Sequence, residues 1–482
     1  MTLQAKPKNT AYYVKSLVGI AIMFGTGFLP PLPGVTDLGM NVLGIFVGMI
    51  YLLCAVDIVW PSMLTVIALG LSGYCSVADS IAAGFGSDIV WMMLILLVLA
   101  EGMASSGLGE VIARWIITRE YLNGRPMLFT FIYIVAFGIC APLVTSNVTV
   151  VLSWTIFYYI ADYAGYKKGE RYSTMLILAS FLTSIMYEGL FSFQSWLLAL
   201  SMTFQDMTGV AFNHVLYFAL GFVVLTLMAA LIVVAMKYIF KCDFEKLKTM
   251  DVSSLKSGER SHLTKQNKGY LLCFALIVFY IIGTALFPED NAIRIFLNNV
   301  TQGGWFTIVF CLAMIVRLDG RPLLDFPKVV KEGANWNILM MCAAVIPAAR
   351  AVTSDGTGIS ELLTSAIAPI LSAMSPVLFI AVVIVVMLIL TNLGSNMATA
   401  LVMLTIVIPI TEQLSINSMV VAMAIVLTAN MGFILPGSSG MAAYIYSNEW
   451  LTTKDIYKYG LVYCVCFLIP AIAVYIAATF LF

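Results

Sequence analysis

Hydrophobic residues along this chain fall into long uncharged runs at about 14–33, 38–56, 58–75, 88–106, 127–163, 173–201, 214–237, 269–287, 303–317, 335–352, 376–411, 419–447 and 457–482. About 20 apolar residues, each rising 1.5 Å, cross the hydrocarbon of a bilayer, so the pattern predicts an all-α polytopic membrane protein. Two runs have the wrong length. At 37 and 36 residues, 127–163 and 376–411 are too long for one helix and short for two full spans with a turn. Each has a Ser-Asn pair near its middle, Ser146-Asn147 and Ser395-Asn396.

The basic residues set the orientation. All but Arg294 and Arg350 of the 25 Lys and Arg cluster at Lys6/Lys8/Lys15, Arg114/Arg119/Arg125, Lys167/Lys168/Arg171, Lys237–Lys268, Arg317–Lys331 and Lys454/Lys458. By the positive-inside rule these segments are cytoplasmic. Run 127–163 has Arg125 before it and Lys167 after it, so it enters and returns on the cytoplasmic side. Run 376–411 has no basic residue at either end and is expected to be a re-entrant hairpin from the outside. Eleven spans remain, with the N-terminus cytoplasmic and the C-terminus extracytoplasmic.

The halves resemble each other at an offset of 249: Ser146-Asn147 onto Ser395-Asn396, Gly107 onto Gly356, Gly109 onto Gly358, and Trp91-Met92-Met93 onto Met340-Met341-Cys342. The expected organisation is a first segment 1–36, repeat 1 over 37–236, a cytoplasmic linker 237–268 and repeat 2 over 269–482. The linker reverses parity, so the repeats are inverted. Inverted repeats with interrupted helices are a signature of secondary transporters, whose solute binds at the midplane between the repeats.

Composition narrows the field. The chain is 61% hydrophobic and 10% charged, with 25 basic against 25 acidic residues, where a soluble domain carries about 25% charged residues. Balanced charge without a basic patch argues against nucleic-acid binding. The nine cysteines (Cys54, Cys140, Cys273, Cys342, Cys464 and Cys466 among them) lack metal spacing and read as small buried hydrophobes. His214 and His262 have no neighbours that would complete a zinc site. The first 13 residues show no cleavable signal, so the first helix is expected to direct insertion.

A re-entrant hairpin is two half-helices meeting at a tip. Ser146/Asn147 and Ser395/Asn396 are expected at N-cap positions of the returning halves, where short polar side chains accept free amides. Such N-termini carry roughly half a positive charge each, and two converging at mid-membrane bind an anion without Lys or Arg. The entering halves end near Pro142–Thr145 and Thr391–Gly394, where free carbonyls suit Na⁺. Two more interruptions, Tyr187-Glu188-Gly189-Leu190-Phe191-Ser192-Phe193-Gln194-Ser195 and Gly432-Phe433-Ile434-Leu435-Pro436-Gly437-Ser438-Ser439-Gly440, lie in the broken helices about 173–201 and 419–447. Each tip with its unwound span would hold a cation, through Ser146, Asn147, Gly189 and Ser195 in one half and Asn396, Pro436 and Gly437 in the other. Glu188, an acid at mid-membrane beside a break, is a candidate cation ligand or proton carrier. Arg350, near an outer helix end, is expected to snorkel or pair with Asp355, with a direct role toward an anion as the alternative.

With two hairpins, two Ser-Asn tips and inverted repeats, the chain resembles the divalent-anion:sodium symporter family over about residues 14–482. In that family each tip carries Ser-Asn-Thr and contacts substrate carboxylates. Carried over by position, Ser146, Asn147, Ser395 and Asn396 match, while the third tip positions are Val148 and Met397. Thr391 matches a family sodium ligand and Gly394 would offer a carbonyl. The resemblance implies Na⁺ as coupling ion, a homodimer in the plasma membrane, and an elevator in which a transport domain slides against a scaffold formed by the first spans of each repeat. The missing threonine hydroxyls would suit a monocarboxylate, a substrate with an apolar tail or an inorganic anion as well as a dicarboxylate. An anion exchanger and a cation/proton antiporter using Glu188 are the alternatives. No nucleophile with a base points to an enzyme.

Overall fold

The computed structural model describes residues 10–191, 196–248, 263–333, 336–352, 354–359, 362, 374–394, 396–435 and 438–482. Almost every described element is a helix, as lipid requires, because backbone groups have no water to bond in hydrocarbon. The first half runs α1 (Thr10–Gly25), α2 (Asp37–Ala55), α3 (Val59–Leu71), α4 (Val77–Gly84), α5 (Asp88–Ser105), α6 (Leu108–Ile117), α7 (Pro126–Val144), α8 (Ser146–Ala164), α9 (Arg171–Glu188), α10 (Leu197–Thr208) and α11 (His214–Val234). The second runs α12 (Lys265–Leu286), α13 (Ala292–Val300), α14 (Gln302–Ile315), a small hairpin of β1 (Arg317–Leu318) and β2 (Arg321–Pro322), α15 (Phe326–Gly333) and α16 (Trp336–Val352). It closes with α17 (Pro376–Leu393), α18 (Asn396–Gln413), α19 (Ser418–Ala429), α20 (Gly440–Ser447) and α21 (Thr453–Leu481).

Helix starts follow local chemistry. The Thr36, Ser76, Ser87, Asn213, Ser375, Asn417 and Ser439 side chains each accept an amide of the turn they open. Thr264 with Asn267 and Thr452 with Asp455 form full capping boxes. Six described helices are long and apolar enough to cross a bilayer, or up to eight when each bent pair counts once, and five further apolar helices run to only 10–17 residues. The bent pairs are α5–α6, at 60°, and α13–α14, at 84°.

The two halves interlock. α16 of the second half packs on α3 and α4 of the first, and α21 packs on α11. Thr36 donates its hydroxyl proton to the Gly356 carbonyl, and the Tyr463 hydroxyl donates to the Met175 carbonyl. Of the four glycines that the offset pairs, Gly107 (φ 74) and Gly358 (φ 68) are left-handed, while Gly109 lies within α6 and Gly356 in a 3₁₀ turn.

Candidate functional site

Four helix ends carry the candidate chemistry. In the first half α7 stops at Val144 and α8 starts at Ser146, with Thr145 alone between them at φ 119, ψ 148. That backbone region is almost exclusive to glycine, and holding a β-branched residue there costs of order 1–3 kcal/mol. Thr145 is therefore the N-cap residue, and Ser146 and Asn147 are the first two helical residues rather than caps. No side chain of the cap itself satisfies the new amides. Instead the Glu188 carboxylate, at the end of α9, accepts the Ser146 N–H at 3.3 Å. A carboxylate on a helix N-terminus is the favourable pairing with the helix dipole. Ser146 is buried, whereas Asn147 and Val148 at the tip are exposed.

Glu188 ends α9, and the chain leaves the helix at Gly189. The Gly189 carbonyl, an expected Na⁺ ligand, accepts the Tyr217 hydroxyl of α11 at 2.6 Å. A Cβ at Gly189 would lie 2.6 Å from Asn430 Nδ2, so a larger residue here would have to displace the Asn430 amide at the end of α19. The two interrupted helices thus touch, one residue from Glu188 on one side and one residue from Ala429 on the other. Expected ligand Ser195 lies outside the described residues, as do Ser395, Pro436 and Gly437.

The second half solves the same problem differently. α17 ends at Leu393, Gly394 is extended (φ −135, ψ −169), and α18 starts at Asn396. Asn396 is thus a first-turn residue and not a cap. Thr391, fully buried, donates its hydroxyl to the Ala429 carbonyl at 2.7 Å, and the same oxygen is 2.9 Å from Asn396 Oδ1. Gly432 closes the cluster: a Cβ there would sit 1.9 Å from Asn396 Oδ1 and 2.6 Å from the Thr391 carbonyl oxygen. Thr391 Oγ1 and O, Asn396 Oδ1 and Ala429 O are therefore neutral oxygens gathered around one short stretch of unwound chain. Such a set suits a hard monovalent cation and gives soft metals no nitrogen or sulfur. Met397 turns away from this cluster. It is buried, with its Sδ 3.8 Å from Cys342 Sγ of α16.

Sequence reasoning passed over Asn392, and the structure gives it a central place. Its Nδ2 donates to the Leu388 and Met431 carbonyls, and its Oδ1 accepts the Phe433 and Ile434 amides at 3.1 and 2.9 Å. One side chain thereby bonds three backbone groups of the α19–α20 interruption, the Met431 carbonyl and the Phe433 and Ile434 amides. The signal was a buried polar residue beside Thr391 in an apolar run. The corresponding first-half residue, Leu143, has no such capacity, and there Glu188 does the capping. Arg350 also has a partner in the first half: its Nε and Nη2 bind Asp206 Oδ2 of α10 at 2.9 and 2.7 Å, while the side chain of its expected partner Asp355 lies outside the described residues.

Among residues 142–148, 187–191, 391–394, 396, 397, 429–435, 438 and 439, Glu188 is the one carboxylate, and none is Lys, Arg or His. The two helix N-termini at Ser146 and Asn396 are thus the principal positive features, next to a cluster of neutral oxygens.

Comparison with known proteins adds an independent line. A family model described as the sodium:sulfate symporter transmembrane region matches residues 10–481. A sodium-dependent dicarboxylate transporter of Staphylococcus saprophyticus is 22% identical over 95% of this chain and 91% of its own length. The Na⁺/citrate cotransporter of Rattus norvegicus is 26% identical over 29% of this chain and 24% of its own. Among solved structures, the Neisseria gonorrhoeae MtrF efflux pump aligns with a TM-score of 0.58 over 96% of this chain and 97% of its own, at 14% identity. The Alcanivorax borkumensis YdaH transporter aligns at 0.53 over 81% and 85%, also at 14% identity, so both speak to the fold alone.

Proposed function

The chain belongs to the sodium:sulfate symporter family, a family of transporters and not of enzymes, and from that premise we propose Na⁺-coupled symport of a small anion. The observation that carries the reading is the oxygen cluster of Thr391, Asn396 and Ala429 around Gly432, one helical turn from an electropositive helix start. Na⁺ among those oxygens places a full positive charge beside the N-terminus of α18, and the anion gains affinity from both. Because such coupling is reciprocal, the anion strengthens Na⁺ binding by the same factor. Thr391, Asn396 and the Gly394 carbonyl, with Pro436 and Gly437 beyond, form the proposed second cation site.

At the first tip Ser146, Asn147, Gly189 and Ser195 form the proposed counterpart, with Glu188 beside them. The Ser146 amide is already engaged by Glu188, so an anion reaching this tip displaces a carboxylate of the protein itself. Asn147 and Val148, both exposed, are the proposed solute contacts there, with Ser395 and Asn396 as the proposed contacts of the second half. Val148 brings an apolar surface and no hydroxyl, which favours a carboxylate-bearing solute with methylene groups over a fully hydrated inorganic ion. The relatives named for dicarboxylate and citrate transport support that class.

The proposed movement is an elevator: two re-entrant hairpins (α7–α8 and α17–α18) and the broken helices slide against the remaining helices of an eleven-span, N-in and C-out plasma-membrane homodimer. The division into 1–36, 37–236, 237–268 and 269–482 follows the same plan. Uptake into proteoliposomes tests the proposal: an inward Na⁺ gradient should drive accumulation of at least one among labelled succinate, citrate, lactate and sulfate. A panel in which a K⁺ gradient performs as well as Na⁺ for every anion refutes it.

A further inference from the structure

We infer that a cavity beside the α5–α6 bend, on the cytoplasmic face, holds the negatively charged phosphate head group of a membrane lipid, away from the broken helices. The inference uses the orientation that the basic clusters give and does not depend on which solute is carried.

A cavity of about 880 Å³ opens where the first half meets the second, between the end of α5, the start of α12, the β1–β2 hairpin and α15. Ligand pockets run from about 300 to about 1,000 Å³, so this one has room for a head group. Its walls are fixed in advance by buried side chains. Asn267, in the first turn of α12, donates through Nδ2 to the carbonyl and hydroxyl oxygens of Ser106 at 3.1 and 3.0 Å. The Tyr270 hydroxyl donates to the Leu323 carbonyl at 2.7 Å. Val111, Leu318, Leu323 and Val329 add apolar lining, which suits the glycerol and first methylenes of a lipid better than a free inorganic ion.

Three cations line the cavity, Lys265, Arg321 and Lys328, against two acids, Asp319 and Asp325, and all five residues are exposed. Lys265 is matched, with its Nζ 2.7 Å from Asp319 Oδ1. Asp325 directly precedes α15, where a helix start favours a carboxylate. Arg321 and Lys328 form no ion pair or cation–π contact among the described residues, so both heads are available to a ligand. Arginine offers a planar fork that meets two phosphate oxygens, and lysine adds a point charge. Basic pockets between membrane helices on the cytoplasmic side are the arrangement that takes anionic lipid head groups. The depth agrees: Trp115 of α6 and Tyr121 just beyond it are exposed, and the Arg119 guanidinium lies 3.7 Å from the Trp115 ring centroid, as suits the level of the head groups.

The test titrates the purified full chain in neutral detergent with phosphatidylglycerol, phosphatidylcholine or inorganic phosphate, and counts bound ligand by native mass spectrometry. A Lys or Arg near an anionic surface is worth about fivefold in affinity. The double variant Arg321→Gln/Lys328→Gln should therefore raise half-saturation by phosphatidylglycerol roughly thirtyfold. Phosphatidylcholine, whose head group is neutral overall, should bind the wild type roughly tenfold more weakly. Lys454→Gln removes an exposed cation assigned to the same face but outside the cavity, and should change nothing. Ser105→Trp keeps every charge but fills the cavity, and should weaken phosphatidylglycerol binding too. If the double variant does not elute as a single peak, the two single variants decide in its place, at about fivefold each. Equal half-saturation by the two lipids, an equal shift in Lys454→Gln, or no shift in the cavity variants overturns the inference, since each means diffuse contact and no site. Binding of inorganic phosphate without either lipid, lost in the double variant, would assign the cavity to a soluble phosphate and overturn the lipid as its ligand.

Discussion

Asn392→Leu is the sharpest test of how the unwound helix is held. The substitution conserves size but removes one amide that makes four backbone contacts, and the residue is only 8% exposed. Leucine leaves the Met431 carbonyl and the Phe433 and Ile434 amides without that partner. Each buried orphan costs about 1–3 kcal/mol, so three give about 3–9 kcal/mol against a total stability of about 5–15 kcal/mol. Asn392→Asp keeps the acceptor for both amides and loses only the donor to Met431, which predicts about 1–3 kcal/mol. Thermal unfolding in detergent, followed by loss of the monodisperse chromatographic peak, should rank wild type above Asn392→Asp above Asn392→Leu. Domains of 150–250 residues shift by about 2–4 °C per kcal/mol, and a chain twice as long by about half that. Asn392→Leu should therefore melt at least about 3 °C below wild type. A melting point within about 1 °C, with unchanged Na⁺ dependence, would show that water or another group satisfies this segment and would refute the accounting.

Four further outcomes follow from the geometry. Thr391→Val removes the hydroxyl between Ala429 and Asn396 and should raise the Na⁺ half-saturation roughly tenfold, with a smaller effect on the anion, in uptake titrations. Gly432→Ala drives a methyl group into Asn396 and the Thr391 carbonyl and should abolish Na⁺ stimulation, whereas Gly356→Ala, which meets open space, should transport normally. Glu188→Gln removes the charge competing for the Ser146 amide and should lower the anion half-saturation roughly two- to fivefold, as for a charge near a helix terminus; an increase would mean that the carboxylate helps to bind the cation. Thr145→Gly relieves a backbone strain of about 1–3 kcal/mol against about 0.5–1 kcal/mol of extra glycine entropy, so it should hold or raise the melting temperature, and a clear drop would argue against the φ 119 conformation.

The hydropathy pattern was enough to show a polytopic helical protein, because the absence of water in hydrocarbon leaves few alternatives to helices. It was also enough to place two helix breaks: α7 gives way to α8, and α17 to α18, within two residues of each Ser-Asn pair. The acid at the first interruption was legible for the same reason, as a charge that an apolar run does not otherwise tolerate. What Glu188 does was not. Its bond to Ser146 spans 42 positions, and the choice of Glu188 in one half against Asn392 in the other depends on which side chain the packed helices bring to an orphaned amide. The pairing of Arg350 with Asp206, 144 positions away, is of the same kind. Capping, hydropathy and chain polarity are properties of a few neighbouring residues and survive in the linear string. Partnership across the core arises only once two distant segments are pressed together, and there the tertiary structure alone decides.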